Sequence, residues 1–275
     1  MRDTRRYRGG ARASQGPLVG GQREGNWTFW DLHGRRYAQH DYKAGQREGW
    51  SLRWHVHNGR RRSEGRHRGD LREGAWMFWY PDGALRGEGI FVSGRCEGLW
   101  RFWHANGQLA LQGRLLAGRR DGFWHLMYRN GQVCSEGLYA GGMREGAWRQ
   151  WTRGGRLQRV GEYRAGLAEG EWTTWHPNGE RASAGEYRAG QREGEWRLWH
   201  SNGALRAEGT VLDGMLEGWW VHWWREGNLR AEGELRRGVE EGPWRFWHSD
   251  GSRNREDTGV YSDGLPSVED WDGSA

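Results

Sequence analysis

Ala189-Gly190-Gln191-Arg192-Glu193-Gly194-Glu195-Trp196-Arg197-Leu198-Trp199-His200-Ser201-Asn202-Gly203 holds two turns and the strand between them, and versions of it recur from end to end of the chain. An acid-Gly pair marks each copy, at Glu24, Glu48, Glu73, Glu97, Asp121, Glu145, Glu169, Glu193, Glu217 and Glu241. The spacing is 24 residues throughout, except for 25 between Glu48 and Glu73. A fixed period in this range is the signature of a repeat array in which each copy is one supersecondary unit.

Two tryptophan columns follow the pair. The first, three residues on, runs Trp27, Ser51, Trp76, Trp100, Trp124, Trp148, Trp172, Trp196, Trp220, Trp244; the second, six on, runs Trp30, Trp54, Trp79, Trp103, Met127, Trp151, Trp175, Trp199, Trp223, Trp247. Together they take 18 of the 22 tryptophans, so Trp is a positional requirement of the repeat. The second copy is irregular: Ser51 stands in the first column, Trp50 sits one place early, and an extra residue precedes Gly59. Strand side chains alternate, so columns three apart are expected on opposite faces.

Glycine is equally periodic, with one column after the acid, one closing an Asn-Gly-like turn, one mid-way in the second half (Gly161, Gly185, Gly209) and one before the next copy (Gly166, Gly190, Gly214). Glycine tolerates positive φ and close backbone approach, so these columns mark turns and tight packing. The segments between them are too short for helices and rich in aromatic and apolar residues, which reads as strand, turn, strand, turn. Pro177-Asn178-Gly179 suits a type I turn with glycine in a left-handed bulge; a two-residue Asn-Gly turn is the competing geometry, and proline at the first corner favours the bulged form. The fold class expected is all-β: an elongated antiparallel array of stacked β-hairpins. Residues 1–23 are expected as a partial repeat or cap, 24–264 as ten tandem repeats, and 265–275 as a C-terminal tail in which Trp271 packs back. Burying two indoles cannot by itself offset the entropy of ordering one 24-residue unit, so neighbours must share their burial.

The chain of 275 residues carries a formal charge of +6, and Lys43 is its only lysine. Acidic residues and arginines are interspersed, as in Arg47-Glu48 and Arg72-Glu73, which describes a solvated surface better than a nucleic-acid footprint. Cys96 and Cys134 fall in different columns, beyond expected disulfide reach, and read as free thiols of a reducing compartment. Residues 1–21 have no apolar core of a secretory signal, and a cytoplasmic location is expected.

Gly185-Glu186-Tyr187-Arg188-Ala189-Gly190 followed by Glu193-Gly194-Glu195-Trp196 resembles the MORN repeat, and the Asn-Gly turn and 24-residue spacing resemble the bacterial variant found in YwqK-type antitoxin proteins. This chain departs by using Trp where that variant often has Tyr, and by Leu115, Val211 and Leu235 at the usual aromatic of the second strand. The resemblance implies an antiparallel β array with a binding or scaffolding role, and catalytic activity only in separately attached domains.

Three columns invite a chemical reading. His55, His104, His176, His200 and His248 follow the second Trp. Equivalent positions in adjacent copies are two strands apart, roughly 9–10 Å, too far to share a zinc ion. Tyr80, Tyr128 and Trp224 occupy the same column, so its requirement is a flat ring with a polar tip. The acid column is repeated without variation, whereas a catalytic carboxylate needs a singular environment; bonding to turn N–H groups or arginine is expected. No nucleophile-base set or phosphate loop stands out, so neither an enzyme, a cofactor, a metal nor a small-molecule substrate is expected. The remaining candidate is an exposed aromatic face with arginines between, centred on Trp151, Trp175, Trp199 and Trp223 with Arg149 and Arg197. A protein partner, of which a toxin is one form, is the first reading of such a face. A membrane lipid surface is the second, from arginine and tryptophan at a headgroup boundary, and single-stranded nucleic acid the weakest.

Overall fold

The computed structural model describes residues 2–267, and every regular element among them is a β-strand. Trp271 and the rest of the expected tail beyond Ser267 lie outside the described residues. Contacts divide the chain into two compact units, Met1–Val133 with Tyr139–Gly142, and Cys134–Leu138 with Met143–Ala275. In the first, antiparallel strands pair in chain order from Arg2–Arg6 to Arg119–Met127; in the second they run in the same way from Met143–Trp151 to Leu265–Pro266. The hairpins from Gln46 to Arg236 have a nine-residue outgoing strand, such as Gln191–Trp199, and an eight-residue return strand, such as Leu205–Leu212. Residues 1–23 include a hairpin of the same design, with Asp3 opposite Gly16 where a tryptophan would stand.

The two turns of the repeat differ in kind. At the hairpin tip Gly179 N–H donates to the His176 carbonyl at 2.9 Å and His176 N–H to Glu180 at 2.8 Å, and of the residues between only Gly179 has positive φ, +100°. This is the type I turn with a glycine bulge. The opposite end is a two-residue turn with both residues left-handed, as at Ala189 (φ +49°) and Gly190 (φ +86°). A left-handed alanine is strained, and the acid column supports it. Glu169 accepts from Ala189 N–H at 2.9 Å, Glu145 from Ala165 at 2.9 Å and Glu217 from Arg237 at 2.8 Å, while Gly190 N–H reaches the Ala168 carbonyl at 2.8 Å. Each carboxylate thus ties the turn of the following hairpin to its own strand.

The core is one side of the sheet, and the first Trp column fills it. Trp27, Trp76, Trp100, Trp124, Trp148, Trp172, Trp196, Trp220 and Trp244 are at most 2% exposed. Each indole lies flat on the mid-way glycine of the preceding return strand, as Trp196 does on Gly185. A Cβ on Gly161 would fall 2.1 Å from Trp172, and on Gly185 2.4 Å from Trp196. The two residues after the acid, here Gly194 and Glu195, form a bulge: Gly185 faces Trp196 while Glu186 already faces Glu193. The bulge takes partners away from the return-strand carbonyl, and the indole supplies one. Trp172 Nε1 donates to Glu162 O at 3.1 Å, Trp220 to Thr210 O at 2.9 Å and Trp244 to Glu234 O at 2.9 Å; Trp196 uses Glu193 O of its own strand. A guanidinium roofs several rings, Arg144 standing 4.7 Å above Trp148 and Arg192 4.4 Å above Trp196. Tyr163 Oη accepts from Arg144 at 2.9 Å and holds that roof in place.

The irregular second copy replaces this pairing. His40 stands where the glycine would be and Ser51 where the tryptophan would be, joined by a 2.5 Å hydrogen bond. His67, at the tyrosine position of the next return strand, packs edge-on against His40 at 6.2 Å and Trp76 at 5.1 Å. Burial, then neighbouring arginines, lowers both imidazoles to a pKa of about 4.

Three outcomes follow from this packing. Gly161→Ala should displace the Trp172 ring and destabilise the hairpin by about 1–3 kcal/mol in chemical denaturation; a loss below about 0.5 kcal/mol, the size of an ordinary surface change, would contradict it. Glu169→Gln should raise hydrogen exchange at the Ala189 amide by about fivefold, since a charge-assisted bond becomes a neutral one. Finally, the unfolded chain protonates His40 and His67 near pH 6.5 while the folded chain resists to about pH 4. Stability contributed by these groups is therefore complete above pH 6.5 and lost as pH falls towards 4. Their imidazole NMR shifts should still report neutral rings at pH 5.5.

Candidate binding surfaces

The second Trp column ends each outgoing strand. Trp151, Trp175, Trp199 and Trp223 are all half-buried. Strict alternation would separate them from the first column, but the register slips by one between Leu198 and Trp199, and a bulge re-aims the side chain beside it. Accordingly Trp175 borders the same groove as Trp172 and Trp196, and Trp79 the same groove as Phe78 and Trp100. The two columns are not confined to opposite faces. The first residue of the return strand covers the second-column ring of the following hairpin: Arg181 lies 5.2 Å from Trp199, Arg36 4.0 Å from Trp54 and Arg12 5.1 Å from Trp30.

The ring column after the second Trp bonds main chain. His176 Nε2 reaches the Trp199 carbonyl at 2.9 Å, His200 Nε2 the Trp223 carbonyl at 3.0 Å and His104 Nε2 the Met127 carbonyl at 2.9 Å. Tyr80 Oη and Trp224 Nε1 do the same to Trp103 at 2.8 Å and Trp247 at 2.9 Å. A carbonyl only accepts, so each of these imidazoles carries its proton on Nε2. Asn202 Nδ2 adds a second bond, to Arg225 O at 2.8 Å. These rings tie one hairpin tip to the next.

Arg149 and Arg197 are exposed on the outward side and reach cross-strand carboxylates, Arg149 to Glu136 at 3.7 Å and Arg197 to Glu208 at 3.2 Å. Such exposed pairs add little stability. Candidate tryptophan and arginine are therefore neighbours on two of the four strands, Trp151 with Arg149 and Trp199 with Arg197, but they stand in different settings: half-covered rings at the tip and ion-paired guanidiniums along the outer side.

A further outward column went unread in the sequence. The residue before the first Trp rides the crest of the bulge, and where it is apolar it is exposed: Trp50 and Trp219 are 49% exposed, Leu99 51% and Phe123 46%. Ile90 on an adjacent return strand is 46% exposed. The signal was present as the doublets Trp219-Trp220, Phe123-Trp124 and Leu99-Trp100, but the bulge that turns the first member outward could not be read from the period alone.

The irregular copy borders a depression lined mainly by polar groups. It encloses about 320 Å³ in the first unit, with His40, Ser51 and His67 at its base and Arg47, Arg53 and Arg72 around it. Arg47 Nε binds Asp70 at 2.8 Å, which holds the Asp70 carboxyl below its usual range. Burial, with Arg53 and Arg47 nearby, lowers the pKa of Arg72. Burial raises that of the Cys96 thiol, and both cysteines are free.

Three stretches of the chain, residues 97–114, 168–189 and 192–213, match the MORN repeat variant. They amount to less than a quarter of the sequence. No curated protein matches. Among solved structures, the crystal structure of TcdB2-TccC3-Cdc42 aligns at 11% identity over 89% of this chain and 15% of that chain, with a TM-score of 0.19. The crystal structure of TcdB2-TccC3 aligns at 12% identity over 98% and 16%, with a TM-score of 0.20. The Photorhabdus luminescens Tc holotoxin pore aligns at 10% identity over 92% and 18%, with a TM-score of 0.16. This chain spans less than a fifth of the length of those chains, and likeness at such TM-scores carries no functional argument. The matched stretches support the MORN-type repeat, and no comparison supports the YwqK-type antitoxin resemblance.

Proposed function

We propose that this chain is a non-enzymatic repeat scaffold that binds another protein through the outward side and tips of its hairpins. The observation that carries this reading is the row of half-exposed apolar side chains on the bulge crests, Leu99 and Phe123 in one unit and Trp219 in the other. Water-facing side chains of this size in repeated positions mark interaction surfaces. The half-buried rings of Trp151, Trp175, Trp199 and Trp223 extend the surface to the tips. Arg149 and Arg197 form its polar rim, ready to exchange their weak internal pairs for a partner's carboxylates. The finer form of the proposal is a neutralising or regulatory protein of the antitoxin kind, acting in the cytoplasm. A membrane-surface scaffold draws on the same rings and guanidiniums but has no observation of its own in its favour.

Crosslinking and affinity capture from the source cells, with the intact chain beside Trp219→Ser and Trp199→Ala variants, would test the reading. One protein should be enriched on the intact chain and weakened about tenfold or more by either change, as for an interface hot spot. The thermal midpoint of Trp219→Ser should stay close to that of the parent. Equal capture by all three chains, or recovery only with anionic vesicles, would overturn it.

A further inference from the structure

The irregular second copy changes three columns at one place. Glycine becomes His40, the indole becomes Ser51, and the tyrosine that would hold the roof becomes His67. In regular hairpins the roofing arginine lies on its indole, as Arg23 does 4.8 Å from Trp27 and Arg120 4.8 Å from Trp124. Arg47 has no indole beneath it and turns to Asp70. Ser51, His40 and His67 line the 320 Å³ depression beside it, a polar counterpart of the grooves over Trp172 and Trp100. We propose that this depression binds a phosphoryl group, free or carried on a small ester or headgroup.

Charge supports it. Arg47, Arg53 and Arg72 face one carboxylate, Asp70, so two positive charges are left over and a dianion balances them. Arg72 is stacked 4.7 Å from Trp76, which leaves the N–H edge of its planar fork for an oxyanion. Hydrogen bonding supports it independently. His67 is 6% exposed, yet its Nδ1 is buried with no partner. Orphaned buried polar atoms are rare in folded proteins, and a small turn of the imidazole would bring this N–H to an oxyanion held in the depression. The Ser51 hydroxyl, already bonded to His40 Nδ1, adds a polar floor. The site goes beyond the scaffold reading and does not depend on it.

Calorimetric titration of the full chain with inorganic phosphate, at constant ionic strength with chloride as the balancing anion, should show saturable one-to-one binding. Arg72→Gln should weaken it about tenfold or more, the loss of one charge-assisted bond. His40→Gly combined with Ser51→Trp restores the pair used by the regular hairpins, should keep the fold by circular dichroism, and should abolish binding. If that double variant does not fold, Arg53→Gln at an exposed position carries the test with the same expected weakening. A parallel arm uses vesicles containing a phosphatidylinositol monophosphate at matched phosphate concentration. Binding in the phosphate arm identifies a soluble ligand; binding confined to vesicles and lost in the variants identifies a headgroup. No saturable binding in either arm, or binding that survives these substitutions, overturns the proposal.

Discussion

An indole lying flat on a glycine is the contact on which the rest of this structure depends. The ring needs a flat bed, and only a residue without Cβ provides one, since the added carbon would sit 2.1–2.5 Å from ring atoms at Gly16 and at every regular copy from Gly65 to Gly233. The ring in turn needs a partner for Nε1, and the bulge at the acid-Gly pair exposes a carbonyl within reach. The bulge brings the acid to the sheet edge, where it steadies the left-handed residue of the next turn. Four columns that look independent in the sequence are thus parts of one packing unit. This explains how a sheet with few aliphatic residues keeps its first-column tryptophans at most 2% exposed.

Much of this was legible in the sequence. The period gave the hairpins, Pro177 before Asn178-Gly179 pointed to the bulged tip turn, and the invariance of the acid column pointed to turn N–H groups. The ring column read correctly as packing because His176, Tyr80 and Trp224 share only a flat ring with a polar tip. What could not be read were the two register slips. A bulge is invisible to periodicity because it recurs with the repeat, so the outward placement of Trp219 and Phe123 and the re-aiming of Trp175 and Trp199 were hidden. The irregular copy was visible as Ser51 in a Trp column. Its meaning was not, because His40 and His67 are separated from it in sequence and meet it only through strand pairing.

That copy also shows what the packing unit tolerates. His40 and Ser51 exchange sizes across one pair of strands: the larger side chain moves to the return strand and the smaller to the outgoing one. The strands stay in register around them, with Gln39 opposite Leu52 and Ala38 opposite Arg53. The exchange turns an apolar, sealed contact into a hydrogen-bonded one bordered by arginines. A repeat built on steric fit can therefore host a polar site at a single copy without losing its neighbours.

Most bonds that join one hairpin to the next end on main-chain atoms: carboxylate to turn N–H, imidazole to carbonyl, asparagine to carbonyl. Such joints are blind to the identity of the side chain on the other half. Duplicating or deleting a whole 24-residue segment leaves these main-chain joints chemically unchanged. Genes encoding arrays of this kind are free to lengthen or shorten by whole copies in single recombination events, with no compensating change elsewhere, whereas a slip of one residue, which moves a ring off its glycine, is selected against.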